Sequence, residues 1–121
     1  MKNYPDITRN ISANIKRLRA GIGPTMQGFS AMAQSATKPG ALDHKTKELI
    51  ALAIGVSSHC DGCIGFHAEA LAKLGAARAE VEEALGMAIY MGGGPALMYA
   101  ADAIGAFEQF QVLMAEKDPA A

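Results

Sequence analysis

Between Glu48 and Val56 the chain reads ELIALAIGV, apolar at nearly every position after the glutamate. As a helix this stretch has no polar face, and a helix without one belongs in the middle of its domain. Asp43 is placed to start it, because an Asp side chain accepts from the free amides of a first turn. This helix is therefore expected over about Asp43 to Val56, with the rest of the chain wrapped around it. Glu48 shares a face with Leu52 and Gly55, and a carboxylate in such surroundings needs a partner to stay charged.

The remaining segments also read as helices. Ile7, Ile11, Ile15, Leu18 and Ile22 recur at helical spacing, with Arg9, Lys16 and Arg17 turned to water. Pro5-Asp6 signals the start of that helix and Gly21/Gly23 its stop. A second helix opens at Pro24 and places Met26, Phe29, Ala33 and Ala36 on one face, ending before Lys38-Pro39-Gly40. After the central helix, Ser57-Ser58-His59 turns the chain into a helix over about Cys60 to Leu74, stopped by Gly75.

A fifth helix is expected from Arg78 to Met91, with Val81, Leu85, Ala88 and either Ile89 or Met91 inward. Glu80, Glu82 and Glu83 lie in or near its first turn, where the macrodipole favours them. Gly92-Gly93-Gly94 then leads to Pro95, well suited to a helix start. The last helix carries Leu97, Ala101, Ile104, Phe107, Phe110 and Met114 at helical spacing, and the tail from Glu116 to Ala121 is expected to fray. No period-two run bounded by hairpin turns is present. The expected fold is all-α: one domain, residues 1–121, of five to six short helices.

Charge and length exclude several function classes. A net charge of −1 gives no electrostatic reason to expect nucleic acid or an anionic membrane as partner. No uncharged run approaches the roughly 18 apolar residues of a membrane span, and MKNYPDITRN has no apolar signal core, so a cytoplasmic location is expected. Short helices rich in Ala and Met, with few charges between Leu85 and Phe107, leave apolar surface that favours a homo-oligomer.

The chemistry gathers in Glu48 to His67, ELIALAIGVSSHCDGCIGFH, which holds both cysteines of the chain. At about 100° per residue, Cys60, Cys63, Ile64, His67, Leu71 and Leu74 fall within roughly one core-facing stripe. Both thiols and the imidazole then face the same way, with Glu48 on the preceding helix. Only a thiolate attacks a peroxide or a disulfide, and a helix N-terminus stabilises that anion. A histidine can take the proton, a carboxylate can support the histidine, and a second cysteine can convert a sulfenic acid into a disulfide. The expected site is Cys60, Cys63, His67 and Glu48, working as a dithiol–disulfide centre with no cofactor.

Three rivals stay open on the residues alone, one being that Glu48 is simply a solvated helix residue, which its neighbours Leu52 and Gly55 argue against. The cysteines could be small buried packing residues. Zinc could be held by Cys60, Cys63 and His67 with His59 or His44 as fourth ligand. Against zinc, His59 points about 100° from Cys60 on the wheel, and no second C-x-x-C exists. His44, at a helix start, is expected to be an exposed surface histidine.

The full pattern, Glu48-x₁₁-Cys60-x₂-Cys63-x₃-His67, resembles the alkylhydroperoxidase D-like branch of the carboxymuconolactone decarboxylase superfamily. ALAKLGA and EVEEALGMAIYMGGGPALMYA extend the likeness, over a core from about Leu42 to Phe107. The resemblance implies thiol-dependent hydroperoxide reduction in antioxidant defence, with Cys63 attacking the peroxide, Cys60 resolving, and Glu48 and His67 relaying the proton. It also implies a trimer or hexamer, and regeneration by a thiol reductant such as a dihydrolipoamide-type carrier. Gly62 stands where the best-known peroxidase members carry a histidine. The decarboxylase members lack the cysteine pair, so lactone decarboxylation is disfavoured. The alternatives in other classes are a non-enzymatic redox-sensing or assembly module and a superfamily member acting on a different substrate.

Overall fold

The computed structural model describes residues 1–117, which form six helices with no strand among them. They are α1 (Tyr4–Gly21), α2 (Gly23–Thr37), α3 (His44–Ser57), α4 (Asp61–Lys73), α5 (Arg78–Gly92) and α6 (Gly94–Lys117). The all-α expectation holds. Glu116 and Lys117 continue α6, and the rest of the tail expected to fray lies outside the described residues.

Local chemistry accounts for the boundaries. Asn3 caps α1 by accepting from the Asp6 amide, and Pro5 occupies the first turn, where its missing N–H is no loss. Asp43 caps α3 by accepting from the Thr46 amide at 2.7 Å. Helix α4 ends at Gly75, whose φ of 72° is a left-handed conformation that glycine adopts without strain. Glu80 reaches back to the Ala77 amide at the start of α5.

The core is built by α3, α4, α5 and α6, with the start of α1 laid against α4 and α6. Leu52 and Val56 of α3 meet Ile64 and Leu71 of α4, Val81 and Leu85 of α5, and Phe107 and Phe110 of α6, all buried. Four expectations about facing are corrected here. In α1 the buried residues are Tyr4 and Thr8, while Ile7, Ile11 and Ile15 are half-buried and Leu18 and Ile22 lie open. The apolar stripe outruns the core because only the first turns of α1 reach it.

Helix α2 buries nothing, and Phe29 on its expected inner face is 59% exposed. Helix α3 is central on one side only, since Ile50 and Ile54 are exposed on the other. In α6 the inward residues of the first half are Ala96, Ala100 and Ala103, one position off the expected Leu97, Ala101 and Ile104. Alanine there lets α6 approach its neighbours closely, and Leu97 is left at the surface. In α5 the partly buried residue is Ile89, and Met91 is exposed.

Candidate functional site

Helix α4 does not start where the wheel placed it. Cys60 is its N-cap, with extended backbone at φ −110° and ψ 99°, and the first helical residue is Asp61. An N-cap side chain normally uses oxygen to accept from an amide two or three residues on. Here the acceptor is Cys60 Sγ, 3.1 Å from the Cys63 nitrogen. The capping geometry brings residues 60 and 63 together, and the two sulfurs are joined in a disulfide with Cα atoms 5.2 Å apart.

His59 is likewise off the helix. Its φ of 54° is left-handed, uncommon for a residue other than glycine. Its ring stacks on Tyr99 of α6, with centroids 4.6 Å apart and planes within 3°. That turn aims the chain so that Cys60 enters α4 from outside.

His67, one turn beyond Cys63, sets Nδ1 2.6 Å from Glu48 Oε2. Glu48 is 6% exposed, which explains why it needs such a partner. With Glu48 ionised, its oxygens only accept, so Nδ1 of His67 carries a proton and Nε2 is free to take another. The other oxygen of Glu48 meets His44, with Oε1 3.3 Å from Nε2. The expected surface histidine is half exposed and belongs to the site. Its signal was legible, since positions 44 and 48 face each other across one helical turn.

The chain thus runs His44–Glu48–His67 on α3 and α4, with the buried Glu48 between two partly exposed histidines. The two helices touch closely beside it. A Cβ at Gly55 would lie 3.0 Å from that of Cys63, closer than nearly all real neighbours sit. Gly62 is different: a Cβ there would meet only the flexible tip of Ile11, at 2.9 Å. The structure thus allows a side chain at position 62 once Ile11 turns aside.

A second group of residues, invisible to sequence spacing, surrounds Asp61. Its Oδ1 accepts from Tyr4 Oη at 2.9 Å and from Lys2 Nζ at 3.0 Å. Lys2 also reaches Asp102 of α6 at 3.0 Å. Burial, and then the bond to Asp61, push the Tyr4 hydroxyl well above its ordinary value, so it remains a proton donor. Contacts of residue 2 with residues 61 and 102 carry no short-range sequence signature.

Among the described residues, no group of three or more His, Cys, Asp or Glu is placed to hold a metal ion. No helix there is long and apolar enough to cross a membrane. A cleft of about 480 Å³ between the start of α1 and the second half of α6 includes none of the four expected site residues.

The fold is shared with known proteins. The chain is similar to a carboxymuconolactone decarboxylase family protein from Legionella pneumophila, solved in its apo form. Identity is 56%, with a TM-score of 0.88 over 89% of this chain and 96% of that one. It is also similar to a Thermotoga maritima protein of the same family, described as "possibly involved in antioxidative response". There identity is 28% and the TM-score 0.72, over 99% of this chain and 97% of the other. An uncharacterized protein of Cupriavidus necator is 40% identical over 83 residues, 69% of this chain and 74% of that protein. The model of the carboxymuconolactone decarboxylase family matches residues 23–106, taking in α2 to α5, both cysteines and most of α6 up to the core phenylalanines. With that match over more than half of its length, this chain belongs to the carboxymuconolactone decarboxylase family.

Proposed function

We propose that this protein reduces hydroperoxides through a Cys60/Cys63 dithiol–disulfide cycle. The observation that carries the reading is the disulfide at the N-terminus of α4, one turn from a histidine held by a buried carboxylate. The Cys63 thiolate attacks the peroxide. An S–O bond forms, the O–O bond breaks, and the alkoxide leaves with a proton from His67, giving an alcohol and a sulfenic acid on Cys63.

Cys60, whose sulfur sits at the helix cap, attacks that sulfenic sulfur. The disulfide forms and water leaves. Glu48 fixes the orientation of His67, and His44 links Glu48 to solvent. A dithiol reductant, of dihydrolipoamide type by resemblance, returns two electrons and two protons in the cytoplasm.

We further propose that the working form is a homo-oligomer, a trimer or hexamer by resemblance. The uncovered apolar residues of α2, α3 and α5 support this, for example Phe29, Met32, Ile54 and Met87. The decisive assay adds a stoichiometric hydroperoxide to the reduced protein. Peroxide should disappear with the loss of two free thiols, and Cys63→Ser should abolish turnover. Unchanged peroxide consumption by Cys63→Ser would refute the assigned mechanism. Disulfide formation that changes oligomer mass without peroxide turnover would instead identify a redox-sensing module.

A further inference from the structure

The two residues flanking Cys60 are both gripped by a single assembly from the far ends of the chain. Gln109 of α6 accepts from the Tyr4 amide through Oε1 at 2.9 Å and donates to the Lys2 carbonyl through Nε2 at 2.8 Å. Residues 2 to 4 are therefore clipped to α6 by both ends of one amide side chain. From that clip Lys2 and Tyr4 reach Asp61, the residue after Cys60. Lys2 Nζ also lies 5.2 Å from the Tyr99 ring, which stacks on His59, the residue before Cys60.

Asp61 poses a chemical problem. A carboxylate in the first turn of a helix suits the macrodipole. Placed between two cysteines, the same charge opposes formation of a thiolate at either one. The titratable and charged groups around this end of α4 are Lys2 and Tyr4 from α1 and its lead-in, His44 and Glu48 from α3, and His59 from the turn. Asp61 and His67 belong to α4 itself, and Tyr99 and Asp102 to α6. Lys2 is the one lysine or arginine among them, and it contacts Asp61 directly.

We infer that Lys2 is a positioning residue for the dithiol. It draws the Asp61 carboxylate toward α6 and offsets its charge, while the Tyr4 hydroxyl occupies the same oxygen. The thiol–thiolate balance is thereby set from the N-terminal segment. The Lys2–Asp61 pair is too exposed to matter much for folding. This inference rests on the dithiol reading above, but its test requires no peroxide.

The experiment measures the rate of thiol alkylation by iodoacetamide against pH, using reduced full-length protein and a melting curve for each variant. Lys2→Met should shift the midpoint upward and slow alkylation on its acid side about threefold, with the alkaline plateau unchanged. Lys2→Arg should restore the wild-type profile. Tyr4→Phe keeps the buried ring and should shift the midpoint in the same direction by less. Adding Asp61→Asn to Lys2→Met should remove most of the shift, because only Asp102, on α6 and away from the cysteine pair, then remains of the two carboxylates that Lys2 offsets. A Lys2→Met profile that superimposes on wild type overturns the inference, as does a shift that Asp61→Asn leaves undiminished. A protein that passes this test yet consumes no hydroperoxide would sink the peroxidase proposal alone.

Discussion

Helices α2 and α4 have similar composition and opposite fates. Both are short, rich in Ala and Gly, and carry one phenylalanine. Helix α4 is packed by α1, α3 and α6, and buries Ile64, Ala68 and Leu71. Among the described residues, helix α2 buries nothing and touches only its neighbours in sequence, α1 and α3. Apolar content alone therefore does not place a helix in the core. What distinguishes α4 is the set of groups that fix its start: a sulfur cap, the Asp61 cluster and the Glu48–His67 contact. The end of the molecule that holds the disulfide is fixed by contacts within the chain, whereas apolar residues of α2, α3 and α5 lie exposed.

That contrast can be broken by experiment. Phe107→Ala should cost about 3–5 kcal/mol of folding stability, measured by denaturant unfolding, because its ring is fully buried. Phe29→Ala should cost under about 0.5 kcal/mol in a dissociated chain, and more where copies assemble. Equal costs for the two in a monomer would erase the distinction. The double variant Ile54→Lys, Met91→Lys should lower the oligomer mass in sedimentation, because both side chains border the same α3–α5 groove. Thiol alkylation should be unaffected, showing that the dithiol end does not depend on that face.

Two smaller effects sharpen the picture. His44→Ala leaves Glu48 with His67 alone and should slow thiol alkylation about twofold, the scale of a helical i, i+4 pair. An unchanged rate would take His44 out of the relay. Asp43→Ala should lower the melting temperature, since Asp43 caps the helix that carries Glu48. Its bonds to Thr46, side chain first and then backbone, hold the Asp43 carboxyl below its ordinary value of 3.8. A depressed folded value means that the stabilisation is present above the unfolded value and lost as pH falls through the folded one. The melting gap between Asp43→Ala and wild type should therefore close in acid.

Helix content was legible in the sequence because apolar residues recur at helical spacing and each break carries a recognisable signal. Asp43, Gly75 and Pro5 mark boundaries by local chemistry alone. Facing was less legible. The Ile7-to-Ile22 stripe identifies a helix, but it says nothing of how far the core extends along it. Two of the proximities the spacing suggested are present: Glu48 meets His67, and Cys60 is joined to Cys63. The reason given for the cysteines was wrong in part, since the wheel treated Cys60 as helical when it is a cap. Lys2, Tyr4 and Asp102 were beyond reach, because their convergence on Asp61 depends on how α1 and α6 fold together.

The sulfur cap of α4 carries a spectroscopic consequence. The Cys63 amide donates to Cys60 Sγ, one of the two atoms joined in the disulfide. In the disulfide that acceptor is tethered in place, and in the dithiol it is free to rotate away. Isotope exchange at the Cys63 amide should therefore speed up on reduction while the interior amides of α4 keep their pace. A single backbone proton becomes a reporter of the molecule's electron count, readable by NMR without any label on the cysteines.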